Sequence, residues 1–162
     1  MPIIHVHDEL AQLVSALAEP VFEAMRGTRA AITLADDELR YELKALRYSA
    51  VRLAVRVACG TDTAALQRLT EALDTRLGLV VVPGMKDREI AYVAATRIMR
   101  SNSAMFDLPP EATNLHFTEN PLENVGLLFG HFCSARHDPL VPLVGATVFG
   151  RTYQDTITRV KG

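Results

Sequence analysis

Apolar residues recur along this chain at alternating steps of three and four, the spacing that lines one face of an α-helix. From Asp36 to Cys59, the residues Leu39, Leu43, Leu46, Ala50, Leu53 and Val57 form one seam. In the first half of the stretch, Arg40, Lys44 and Arg47 make a solvated flank. In the second half, Val51, Ala54, Val55 and Ala58 leave only Arg52 and Arg56 to interrupt an apolar surface. A helix that is apolar on most sides is covered on most sides. The pattern therefore predicts a long helix that starts at the surface and runs into the middle of a bundle.

The flanking segments read the same way. Pro2 to Val6 reads as a short apolar tail that folds back, with Asp8 as an N-cap for Leu10, Leu13, Val14, Leu17, Val21 and Met25. Pro20 kinks or splits that helix and Gly27 closes it. Asp36 and Asp37 oppose the positive end of the central helix, and Gly60 ends it. Thr61 or Thr63 caps the next helix, with Leu66, Leu69, Leu73 and Leu77 as its seam and Gly78 as its stop. A helix over Lys86–Arg100 turns Ile90, Val93, Ala94 and Ile98 inward. Asn120, Pro121 and Glu123 give the sharpest helix start, ahead of a core face of Leu122, Val125, Leu128, Phe129 and Phe132. Pro142 opens the last helix, through Val144, Val148, Phe149, Tyr153, Ile157 and Val160. The expected fold is mainly α, one domain over residues 1–162 made of five to six helices. The β-branched run 79–82 and the alternating run 114–118 leave room for a two-stranded accessory.

Composition narrows the class. With 162 residues, 49% of them apolar and 22% charged, the chain suits a globular domain with a sizeable core. Net charge is −2 and the pI near 6.2, so nothing draws the whole molecule to nucleic acid or anionic membrane. No apolar run approaches the roughly 20 residues that cross a bilayer, and the first nine residues lack a secretory pattern. Two cysteines do not make a disulfide framework. A reduced, cytoplasmic protein without a cofactor is the expectation.

Chemistry-bearing residues are few. His131, Cys133 and His137 are the densest metal-capable set. On one helix Cys133 and His137 share a face, while His131 points about 160° away. The plainer reading is a buried thiol with histidines favoured by a helix C-terminus. In an extended segment His5, His7 and Glu9 face one side. Cys133 beside Phe132 suits an inert thiol better than a nucleophile. Arg52 and Arg56 need acidic partners or a bound anion; salt bridges inside the bundle are the structural alternative to an anion pocket. Gly126 and Gly130 mark close helix approach, within the bundle or at a homodimer surface. The apolar residues Met105, Phe106 and Leu108, beside Pro109–Pro110, sit in a 101–119 segment too long to be an idle loop.

No catalytic constellation emerges. The favoured function is a non-catalytic interaction or regulatory module, acting through a helical face and residues 101–119 on a protein partner or a second copy. The first alternative is a small-ligand, anion or metal-binding protein, an enzyme among the options, using Arg52 and Arg56 with His131, Cys133 and His137. The second is a DNA-binding regulator, which the acidic pI and the long apolar link at 79–84 disfavour.

Overall fold

The structure is a computed structural model, and it describes residues 3–15, 25, 34–78, 82–97, 115, 117–135 and 138–161. Among these residues the chain forms six helices and no strand. They are α1 (Ile3–Ser15), α2 (Asp36–Cys59), α3 (Thr63–Leu77), α4 (Val82–Thr96), α5 (Pro121–Phe132) and α6 (Leu140–Lys161). The helical bundle is as expected. Of the two-stranded accessory, Val82 belongs to a helix, and Leu115, Phe117 and Thr118 are irregular. Residues 79–81, 114 and 116 lie outside the described residues.

Helix ends follow local chemistry, with four departures from the sequence reading. First, α1 begins at Ile3 rather than at Asp8, and Asp8 pairs instead with Arg76 of α3 at 3.2 Å. The alternation of His5, His7 and Glu9 therefore falls on a helix, where positions 5 and 9 share a face and position 7 lies on another. Second, Asp62, not a threonine, caps α3, its carboxylate accepting from the Ala65 N–H at 3.0 Å. Third, α4 starts at Val82, earlier than Lys86. Fourth, α6 starts two residues before Pro142, because the Asp138 carboxylate accepts from the N–H groups of Leu140 (2.8 Å) and Val141 (3.2 Å). The Asn120 cap behaves as read, accepting from Leu122 and Glu123 at 3.1 and 3.3 Å. Gly60 and Gly78 end α2 and α3 with φ of 56° and 96°, in the left-handed region that favours glycine.

Helix α2 is buried on two sides. Leu39, Leu43, Leu46 and Ala50 join Tyr92 of α4, Leu128 and Phe129 of α5, and Phe149 of α6. On the other side, Ala45, Tyr48, Val51 and Val55 join Leu10 and Val14 of α1, Leu73 of α3 and Met85 of α4. Two cores leave little room for a solvated flank, so Arg47, read as solvated, is only 4% exposed. Its Nη1 has no hydrogen-bond partner, and burial pulls its pKa down from the ordinary value. Conversely, Val57, Ile90 and Leu122, read as core, are 51%, 55% and 44% exposed. At these positions the helix turns a seam residue past the edge of its neighbour.

Helices α5 and α6 pack closely because glycines let them. A Cβ on Gly126 would collide with the Pro142 carbonyl oxygen, and one on Gly145 would lie 2.6–2.8 Å from Phe129 side-chain atoms. At Gly150 the nearest atoms belong to the Leu122 side chain at 3.5 Å, an ordinary contact. We expect Gly126→Ala to lower unfolding free energy by about 2 kcal/mol through overpacking. Gly150→Ala should raise it by about 0.5–1 kcal/mol by restraining the unfolded chain. Urea melts test both, and a Gly126→Ala protein as stable as the parent would refute the close approach. For Arg47→Met, the removal of an uncompensated buried charge should add about 1–3 kcal/mol; a destabilised variant would mean that the guanidinium has a partner of its own.

Candidate functional site

Helix α4 meets α2 through two glutamate–arginine clusters, and their geometries differ. On one side Glu42 of α2 accepts from Arg88 of α4 through Nε (3.0 and 3.2 Å) and Nη2 (2.8 Å). The Arg88 guanidinium also stacks 3.8 Å from the Phe132 ring centroid. These are the short, forked contacts of a closed pair. Burial pushes the Glu42 carboxyl above its ordinary range, against the pull of Arg88. Beside this pair lie Tyr92, whose buried hydroxyl has no partner, and Cys133.

On the other side the polarity is reversed: one carboxylate on α4 serves two arginines on α2. Arg52 Nε donates to both Glu89 oxygens at 3.3 and 3.4 Å, and Arg56 Nη2 donates to Oε1 at 3.4 Å. These contacts are longer than the 2.7–2.9 Å or so of strong charge-assisted bonds. Arg52 uses only its Nε–H on Glu89, leaving both terminal nitrogens without a hydrogen-bond partner among the described residues. Glu89 is 8% exposed at its side chain, Arg52 17% and Arg56 40%. A groove of about 230 Å³ opens here, lined by these three residues with Ile90, Val93, Ala94 and Arg97. Three arginines and one glutamate line this groove, a local excess of two positive charges in a chain whose net charge is −2.

The other sequence candidates fare differently. Cys133 is fully buried and His131 half-buried, its ring 5.6 Å from that of Phe132. Helix α5 ends at Phe132, Cys133 is its C-cap, and Ser134 turns left-handed with φ of 56°. The continuous helix that would align Cys133 with position 137 is therefore absent; His137 lies outside the described residues. Among the described residues no three His, Cys, Asp or Glu side chains group closely enough to hold a metal. Met105, Phe106 and Leu108 lie outside the described residues as well. Gly126 and Gly130 are buried, and the Gly126 face is taken by α6. No described helix is long and apolar enough to cross a membrane.

The arginine pair and its need for an acid were readable from the sequence; Glu89, Arg97 and the outward Ile90 were not. Periodicity placed Ile90 inward, and nothing local to α4 distinguishes Glu89 from any surface glutamate. Comparison with protein-family models, curated proteins and solved structures finds no match for this chain, so the geometry stands alone.

Burial pushes the Cys133 thiol well above its ordinary value of 9.0 and raises that of the partly exposed Cys59 less. A raised thiol holds its proton more tightly folded than unfolded. The stability it contributes is present below the ordinary value and is lost as pH climbs beyond it. We expect a thiol reagent near neutral pH to modify Cys59 alone, and Cys59→Ser protein to react only on unfolding. Rapid labelling of Cys133 in the folded protein would overturn this assignment.

Proposed function

We propose that the protein is a non-catalytic interaction module that receives an acidic segment of a protein partner in the groove between α2 and α4. One observation carries the reading: Arg52 and Arg56 share the single carboxylate of Glu89 through only part of their N–H donors, and Arg97 lines the same groove. The closed Glu42–Arg88 pair supplies the contrast, since there one carboxylate meets one guanidinium through short, forked bonds. A purely structural ion pair has no use for three cations per anion. The C-terminal ends of α2 and α4 favour cations at Arg56 and Arg97 by about 0.3–1 kcal/mol each, which holds the charges in place without consuming their side-chain donors.

The size of the groove favours a partner segment over a small cofactor. About 230 Å³ falls below the roughly 300–1,000 Å³ of most small-molecule pockets, but it accommodates one side chain. Ile90, 55% exposed at the rim, suits an apolar neighbour of the acidic residue. Duplex DNA is a poorer occupant, because a buried glutamate at the centre and an overall net charge of −2 repel a phosphate backbone.

The test is a titration of the protein with the pentapeptide Ac-Ala-Leu-Glu-Leu-Ala-NH2 and its lysine counterpart, followed by NMR of the arginine Nε–H groups. Saturable shifts at Arg52, Arg56 and Arg97 are expected with the glutamate peptide only, weakening with added salt. Arg56→Gln and Arg97→Gln should each reduce affinity roughly threefold to tenfold. Equal binding of both peptides, or none of the glutamate peptide, would remove the reading.

A further inference from the structure

The charge count at this groove goes further than the binding reading on which it rests. A carboxylate arriving beside Glu89 would still leave one uncompensated positive charge among Arg52, Arg56 and Arg97. A phosphate monoester carries about −1.5 to −2 at neutral pH and presents three acceptor oxygens, which matches the excess of two. The placement of the arginines agrees. Arg52 and Arg56 stand one turn apart on α2, whereas Arg97 follows the end of α4, so donors approach from two elements. A planar carboxylate offers two oxygens in one plane; a tetrahedral group offers oxygens to both sides at once. Glu89 does not pre-empt these donors, because it engages Arg52 only through Nε and Arg56 only through Nη2, at 3.3–3.4 Å.

A second groove among the described residues makes the comparison. Between α1 and α3 an open depression of about 720 Å³ is lined by His7, Asp8, Arg68, Glu71 and Arg76. There two arginines face two carboxylates, Arg76 pairs with Asp8 at 3.2 Å, and Glu71 accepts from Gln67 at 3.0 Å. That balance calls for no anion. The α2–α4 groove does, and its apolar wall of Ile90, Val93 and Ala94 distinguishes it from a bare phosphate trap.

We propose that the groove formed by Arg52, Arg56 and Arg97 recognises a phosphorylated side chain of a partner protein, flanked by an apolar residue that rests on Ile90. Partner binding is then switched on by phosphorylation of that segment.

The experiment compares three peptides, Ac-Ala-Leu-X-Leu-Ala-NH2 with X serine, glutamate or phosphoserine, together with inorganic phosphate, on the intact protein. Phosphoserine should bind about tenfold or more tightly than glutamate, and serine not detectably. Affinity for the phosphoserine peptide should rise between about pH 5 and pH 7 with the second phosphate ionisation near 6. The glutamate peptide should stay flat over that range. Arg97→Gln should bring phosphoserine to within about threefold of glutamate, while Arg151→Gln, an exposed change on α6 outside the groove, should alter neither. Circular dichroism confirms that each variant is folded. Equal affinity for glutamate and phosphoserine would overturn the phosphate inference and leave the acidic-segment reading intact. Inorganic phosphate binding as tightly as the phosphopeptide would overturn recognition of a protein segment in favour of a free anion. Binding of no peptide would bring down both.

Discussion

Helix α2 is the constraint on which the rest depends, because it is covered on two sides at once. Once Leu39, Leu43, Leu46 and Ala50 belong to one core and Ala45, Tyr48, Val51 and Val55 to another, every polar side chain buried on this helix needs a partner. Most find one. Glu42 takes Arg88, the buried Tyr48 hydroxyl donates to Asp74 at 2.7 Å, and Ser49 donates back to the Ala45 carbonyl at 2.8 Å. Asp74 is itself held by Lys86 at 3.4 Å, which ties α3 and α4 to the same point on α2. Arg47 is the exception: its buried Nη1 is left without a partner.

The polar contacts of α2 also set where α4 lies. Glu42 holds Arg88 and Arg52 holds Glu89, so adjacent residues of α4 are fixed to positions of α2 about three turns apart. With α4 held this way, Tyr92 enters the core beside Phe132 and Phe149, and Ile90 is left outside. The groove is thus a consequence of how the two helices are fastened. One fastening is tight and forked; the other is long and shared, and only at the second do two arginines divide one carboxylate.

Much of the fold was legible because periodicity, glycine stops and caps are local signals. The seam of α2, the leucines Leu69 and Leu73 of α3, the Asn120 cap and the buried face from Val125 to Phe129 all follow from spacing along one helix. What failed was everything that depends on a neighbour. Arg47 looked solvated because its flank is polar, yet a second core covers that flank. Ile90 and Leu122 looked buried because they keep the period, yet each lies beyond the edge of the adjoining helix. Likewise the Cys133–His137 spacing presumed a helix that stops at Phe132. Of the candidate site, the arginine pair was legible as an interruption in an apolar surface. Glu89 was not, since its role comes from pairing across elements distant in sequence, and Arg97 was not, since the fold alone brings it to the same groove.

Glu89 has a further consequence for how the groove works. Two arginines one turn apart on a helix repel each other, and with no counter-charge they would splay toward solvent, most easily at Arg56, the more exposed of the two. The shared carboxylate holds both guanidinium groups near one point, which would lower the ordering cost of the proposed binding. It also competes with an incoming anion for the same cations. A ligand carrying a single charge gains little over the internal carboxylate that it must share with, whereas one carrying two charges keeps a net attraction. In the proposed binding, preorganisation and selectivity for higher charge would both come from one residue, through the long contacts of Glu89.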